Sequence, residues 1–144
     1  MKKLNFLVAT RVILVLMVLM IPSLLFAGEV VLVANKNVPD NDLAKDEIKA
    51  IFLGNKTKWS DDTRITFVIN TSKEAQSFLS DYLGKTPFQF DNYWKYQAFT
   101  GKGMLPRSFV NEKELLYYVE NTLGAIAYVS KSAPMAGVKM INVK

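Results

Sequence analysis

Two kinds of apolar run alternate along this chain. Glu29 to Ala34 (EVVLVA), Arg64 to Ile69 (RITFVI), Ala125 to Val129 (AIAYV) and Val138 to Val143 (VKMINV) are short, nearly continuous and rich in β-branched residues, which predicts buried strands. Between them, apolar positions recur every three or four residues. Ile48, Ile51 and Phe52 form one such face, in a segment reaching about Leu53 and stopped by Gly54. Ala75, Phe78, Leu79, Tyr82 and Leu83 form a second that ends at Gly84. Phe90, Tyr93, Trp94 and Ala98, with Gln97 beside them, form a third before Gly101, and Leu115, Leu116 and Val119 a fourth before Gly124.

Polar residues mark where these helices begin. Thr71 with Glu74, and Thr86 with Gln89, have capping-box spacing, in which each side chain satisfies the other residue's free amide; Pro87 suits the first helical position. Asn111 is the expected cap of the fourth helix. Asn35 to Asp42 reads as a loop, and Lys56 to Thr63 as an exposed turn from which Trp59 returns to the core. The order is strand, helix, strand, three helices, strand, strand. It predicts an α/β fold: a single three-layer domain with a mostly parallel sheet, and ligands placed where helix N-termini meet the carboxyl ends of strands.

The N-terminus changes the picture of charge. Lys2, Lys3 and Arg11 precede the apolar run Val12 to Ile21, then Pro22-Ser23 and a stretch ending at Ala27, the pattern of a secretory signal peptide. The expected division is therefore a signal over residues 1–27 and one domain over 28–144, with a periplasmic or secreted destination. An uncleaved N-terminal membrane anchor is the alternative. Removing the signal leaves 15 Lys plus Arg against 13 Asp plus Glu, so the net charge falls from +5 to +2 and a nucleic-acid partner loses its support.

The chain has no Cys and no His. That excludes disulfides, Ser-His and Cys-His nucleophilic pairs, and the usual zinc ligand sets. A calcium loop begun at Asp40 fails, because Lys45 stands where Gly is needed and Ile51 where the bidentate Glu belongs. Asp61 and Asp62 are adjacent in a turn, with no acid/base partner indicated. The loop Gly101 to Arg107 lacks the Gly-Lys-Ser/Thr ending of a phosphate-binding P-loop. No enzyme activity, metal or cofactor is expected.

One stretch keeps a binding chemistry in view: Phe67 to Phe78, FVINTSKEAQSF, a strand running into a helix start. The first amides of a helix lack partners and face the positive end of its dipole, so they attract anions. Here Thr71 and Glu74 are placed to use two of those donors, and Glu74 brings its own negative charge.

Several segments in order resemble one lobe of the phosphate-type periplasmic solute-binding proteins of ABC transporters. They are Ile51-Phe52-Leu53-Gly54 with Trp59, the strand and helix from Phe67 to Gly84, Trp94, Phe99-Thr100-Gly101, Pro106, and Gly124 to Val129. The resemblance covers nearly all of residues 28–144 and implies a type II periplasmic-binding-protein fold, bacterial export, and a small oxyanion such as phosphate as ligand. It makes Asn70, Thr71, Ser72, Lys73, Glu74 and Gln76 the candidate anion corner, with Lys102 and Arg107 as loop cations. The chain departs from the family in having length for only one lobe. It also has Asn70 where Arg is typical, and Glu74, Ala75 and Gln76 where the family carries Ser-Gly-Thr; Ala127 replaces a usual Gly. Two functions follow as expectations: an exported binder with weak affinity for phosphate or another oxyanion, or a non-binding interaction module that docks on a membrane transporter or sensor.

If the N-terminal pattern is a cleaved signal, mass spectrometry of the exported fraction should find a chain beginning at or next to Gly28. Recovery of intact Met1 in the membrane fraction would establish the anchor instead.

Overall fold

Valine-rich β1 (Val30–Asn35) lies in the middle of the sheet, because both of its edges and both of its faces are covered. The computed structural model describes residues 29–144; the expected signal, residues 1–27, lies outside them. After β1 come β2 (Asp42–Leu43), α1 (Lys45–Phe52), β3 (Thr66–Phe67), β4 (Ile69–Asn70), one 3-10 turn (Lys73–Ala75), α2 (Ser77–Leu83) and α3 (Pro87–Phe99). The chain continues with β5 (Ser108–Phe109), α4 (Glu112–Glu120), β6 (Ala125–Ser130) and β7 (Val138–Val143).

Five strands pair in the order β2-β7-β1-β6-β3, and β4 pairs with β5 in a separate two-stranded ladder. The sheet is mixed, which corrects the expectation of a mostly parallel one. β1 runs antiparallel to both β6 and β7, and only the short flanking pairs β3 with β6 and β2 with β7 are parallel. The physical reason is that a continuous apolar run reports burial on both faces and says nothing of direction. Helix α1 does follow β1, but it leads to β3, which pairs with β6 and leaves β1 to strands from the end of the chain.

Side-chain alternation sorts the core into two layers. Leu32, Ala34, Ile126, Tyr128 and Ile141 face the side covered by α1, α2 and α3, where Phe52, Phe78 and Trp94 meet them. Val33, Ala125, Ala127, Val129 and Val138 face Leu115, Leu116 and Val119 of α4. The caps at α3 and α4 form as their residues require. Thr86 Oγ1 accepts from the Gln89 amide at 3.2 Å while Gln89 Oε1 accepts from Thr86 N–H at 3.0 Å, and Asn111 Oδ1 accepts from the amides of Lys113 and Glu114. Trp59 returns to the core and donates its indole N–H to the Gly124 carbonyl at 2.9 Å.

The second predicted strand is broken at Val68. Val68 N–H still donates to Ile126 of the main sheet, whereas Ile69 N–H donates to the Arg107 carbonyl, so the chain changes partners within two residues. That switch carries Asn70 past the end of β3 and sets up the corner below.

Phe78 is fully buried and stacks on Tyr128 with ring centroids 3.8 Å apart, with Phe52 edge-on at 4.9 Å. Phe78→Ala should therefore destabilise the protein by about 3 to 5 kcal/mol in urea unfolding. A loss near zero would mean that this ring does not anchor α2 to the sheet.

Candidate functional site

Where β4 ends, the backbone turns under the control of Asn70. Its side chain is buried at 2% exposure; its Oδ1 accepts from Ser72 N–H at 3.0 Å, and its Nδ2 donates to the Tyr128 carbonyl at 3.1 Å and to Glu112 Oε1 at 2.8 Å. The Tyr128 hydroxyl returns a bond to the Asn70 carbonyl at 3.1 Å. Asn and Asp commonly turn a chain in this way, by bonding to the amide two residues on.

The capping box expected from Thr71 and Glu74 does not form. No side chain caps the 3-10 turn, whose cap position is Ser72. Thr71 is held elsewhere, since both its amide (2.8 Å) and its hydroxyl (3.1 Å) donate to the Phe109 carbonyl of β5. Pairing of the β4–β5 ladder thus draws Thr71 away from the helix start. Thr71, Lys73, Glu74 and Gln76 are exposed. Ser72 is buried, and its hydroxyl is the one buried side-chain polar atom among the described residues with no hydrogen-bond partner.

The carboxylate that does occupy the corner is Glu112, at the first position of α4. Its Oε1 accepts from Asn70 Nδ2 and from Ser130 N–H at 2.7 Å, and its Oε2 accepts from the Ser130 hydroxyl at 2.6 Å. Three donors from two strand ends therefore converge on one anionic group. Sequence reasoning missed both Glu112 and Ser130. Glu112 is a first-turn acid, a common placement because it suits a helix N-terminus and so gives no signal of its own, and Ser130 stands one residue past the predicted end of its strand.

Neither loop cation takes part in this network. The Arg107 guanidinium lies over the Tyr118 ring at 5.0 Å and the Phe109 ring at 5.7 Å, against α4. Lys102 lines a separate cleft with Lys56, Lys58 and Arg64. Beside the corner, Asn70, Thr71 and Gln76 open onto a cavity of about 310 Å³ walled largely by Ile69, Leu79, Phe90, Trp94 and Leu105. Its one charged lining group is Asp91, paired with Lys95 at 2.6 Å, so this cavity suits an apolar or neutral group better than an anion. No group of three or more acidic side chains among the described residues could hold a metal, and no described helix is long and apolar enough to cross a membrane.

Comparison with known proteins agrees with this architecture. A family model described as a PBP superfamily domain matches residues 20–140. No curated protein matches. Among solved structures, the chain is similar to a protein assigned as a phosphate ABC transporter substrate-binding protein, with bound phosphate, from Clostridium perfringens. The two are 23% identical with a TM-score of 0.57, over 81% of this chain and 45% of that one. It is also similar to an ABC-type phosphate transport receptor from Vibrio cholerae, at 14% identity and a TM-score of 0.55, covering 81% of this chain and 46% of that one. PstS from Borrelia burgdorferi gives 13% identity and a TM-score of 0.58, over 81% and 47% of the two chains. At these identities the likeness is one of fold, and this chain spans less than half the length of each.

Tyr128 makes the corner testable by pH. Burial pushes its phenol well above its ordinary value, so it stays neutral in the fold. The unfolded chain ionises a tyrosine near pH ~10, so the stability held by this group is complete below that pH and falls as pH rises further. Tyr128→Phe should flatten part of that alkaline loss. It should also cost about 1 to 3 kcal/mol at neutral pH, by leaving the Asn70 carbonyl without its donor. Urea unfolding at neutral pH and near pH ~11 checks both; an unchanged alkaline slope would rule out this origin.

Proposed function

The chain belongs to the PBP superfamily, a family of binding proteins and not of enzymes, and from that premise we propose that it is an exported, phosphate-binding-protein-like lobe with weak affinity for phosphate or a similar oxyanion. The observation that carries this reading is the Glu112 carboxylate, which accepts the bonds of Asn70 Nδ2, Ser130 N–H and the Ser130 hydroxyl. Donors that could grip an oxyanion are spent on an internal one.

Magnitudes decide how much affinity remains. A helix N-terminus favours an anion by about 0.3 to 1 kcal/mol at an exposed site. Two like charges ~4 Å apart repel by ~4 kcal/mol at an effective dielectric of ~20. An oxyanion brought against Glu112 thus loses more than a helix terminus returns, and Asn70 offers no guanidinium in compensation. The unpartnered Ser72 hydroxyl and exposed Lys73 are the groups left to hold it.

A second reading has its own support. Phe99, Met104 and Leu105 lie exposed at the end of α3 and in the loop that follows. Such apolar exposure suits docking on a membrane transporter or sensor partner, which is the interaction-module function.

Calorimetric titration with phosphate, sulfate and small carboxylates distinguishes the two. The weak-binder reading expects dissociation constants of roughly millimolar for the protein, or about −4 kcal/mol, and clearly tighter phosphate binding in Glu112→Ala. That substitution should also cost about 1 to 3 kcal/mol of stability, because it strands the Asn70 and Ser130 donors. No binding by either form would leave the interaction module as the function. Tight wild-type binding that Glu112→Ala weakens would make Glu112 a ligand-site residue and overturn the assignment of an occupied corner.

A further inference from the structure

A concentration of positive charge lies away from the corner, in the cleft between the end of α1, the hairpin of residues 57–65 and the loop after α3. It has a volume of about 660 Å³, and its lining includes Lys56, Lys58, Arg64 and Lys102 and no carboxylate. Lys56 is paired with Glu47 at 2.7 Å and Lys58 with Asp62 at 3.5 Å, whereas Arg64 and Lys102 have no acidic partner among the described residues.

The framework that presents these cations is fixed. Lys58 and Arg64 face each other across an antiparallel bridge, with Ile65 N–H bonded to the Thr57 carbonyl at 2.9 Å. Like charges directly opposite on paired strands destabilise the pair. Lys102 reaches the cleft because its amide turns back to the Gln97 carbonyl at 2.9 Å, after Gly101 at φ +71°. The floor is the Trp94 ring, which leaves no room for a side chain at Gly54, where a Cβ would come within 2.8 Å of it, and little at Gly103. Tyr93 is locked beside it by a bond from its hydroxyl to the Leu53 carbonyl at 2.7 Å.

A cleft lined by one sign of charge concentrates the opposite ion, and low-dielectric walls strengthen the effect. Its volume falls within the range of roughly 300 to 1,000 Å³ typical of sites for ligands much larger than a lone inorganic anion. We propose that this cleft binds a polyanion carrying two or more phosphoryl groups, with Arg64 and Lys102 as its principal contacts and Lys58 as a third. A ligand seated there also relieves the repulsion between Lys58 and Arg64. The site is independent of the Glu112 corner, so either can fail alone.

The test is a titration of the full chain with tripolyphosphate at constant ionic strength, beside sedimentation with phosphatidylcholine vesicles with and without cardiolipin. One saturable tripolyphosphate site is expected, weakened on the order of tenfold or more in the Arg64→Gln/Lys102→Gln double variant. Lys113→Gln, which removes an exposed charge of α4, should leave binding unchanged. Binding confined to cardiolipin vesicles, with the same dependence on Arg64 and Lys102, would support the site and identify a lipid headgroup as the source. Absence of binding in both arms, or binding that the double variant and Lys113→Gln reduce equally, would overturn the proposal.

Discussion

The corner depends on one rule: a buried amide must find partners for its polar atoms, because leaving them dry and unbonded costs more than the bonds themselves contribute. Asn70 obeys it by joining three segments at once. It accepts from the turn at Ser72, donates to β6 at Tyr128 and donates to α4 at Glu112. Each bond fixes a position that packing alone would leave free. The turn must close within two residues, β4 must stop beside Tyr128, and α4 must begin where its first side chain reaches the end of β6. Glu112 then completes the arrangement with Ser130. The result is a rigid corner whose donors serve the fold before they can serve a ligand.

Much of the fold was legible in the sequence, and the reason is that periodicity reports burial. The apolar stripe Phe78, Leu79 and Leu83 is buried, as are Phe90 and Trp94, and Leu115, Leu116 and Val119. The caps at Thr86 and Asn111 were readable because each needs only residues within one turn of each other. Strand direction was not readable. Whether Val33 lies opposite Ala127 or beside a parallel neighbour is decided by long-range closure, which leaves no local mark. The two-residue strands β2 and β5 went unseen for a related reason, since so short a segment carries no period.

The candidate site was legible in place and less so in its parts. FVINTSKEAQSF does turn at the carboxyl end of a strand, and Asn70 is central there. The partners Glu112 and Ser130 lie far away in sequence, and nothing near Asn70 announces them. Thr71 illustrates the opposite failure. Its spacing from Glu74 fits a capping box, yet the β5 ladder takes its amide and hydroxyl, so a tertiary contact overrides a correct local motif. Lys102 and Arg107, close together in one loop, end in different surroundings because the loop folds back over Trp94 before Arg107 reaches α4.

The place of β1 has a consequence for how the domain folds. Its two neighbours, β6 and β7, lie far along the sequence from it, and residues 131–137 between them pass β1 on the α4 side, where Ala133 and Met135 pack. β1 is thus completed only by strands distant from it in sequence. Local helices can form early, but the central pairing must close across most of the domain, which is the arrangement of high contact order that slows folding. Until then β1 carries two unpaired edges on an apolar strand, a template for unwanted pairing with other chains. A chain of this design stays without its central pairs until β6 and β7 reach β1, and its safety in that interval depends on whatever keeps β1 from meeting another copy of itself.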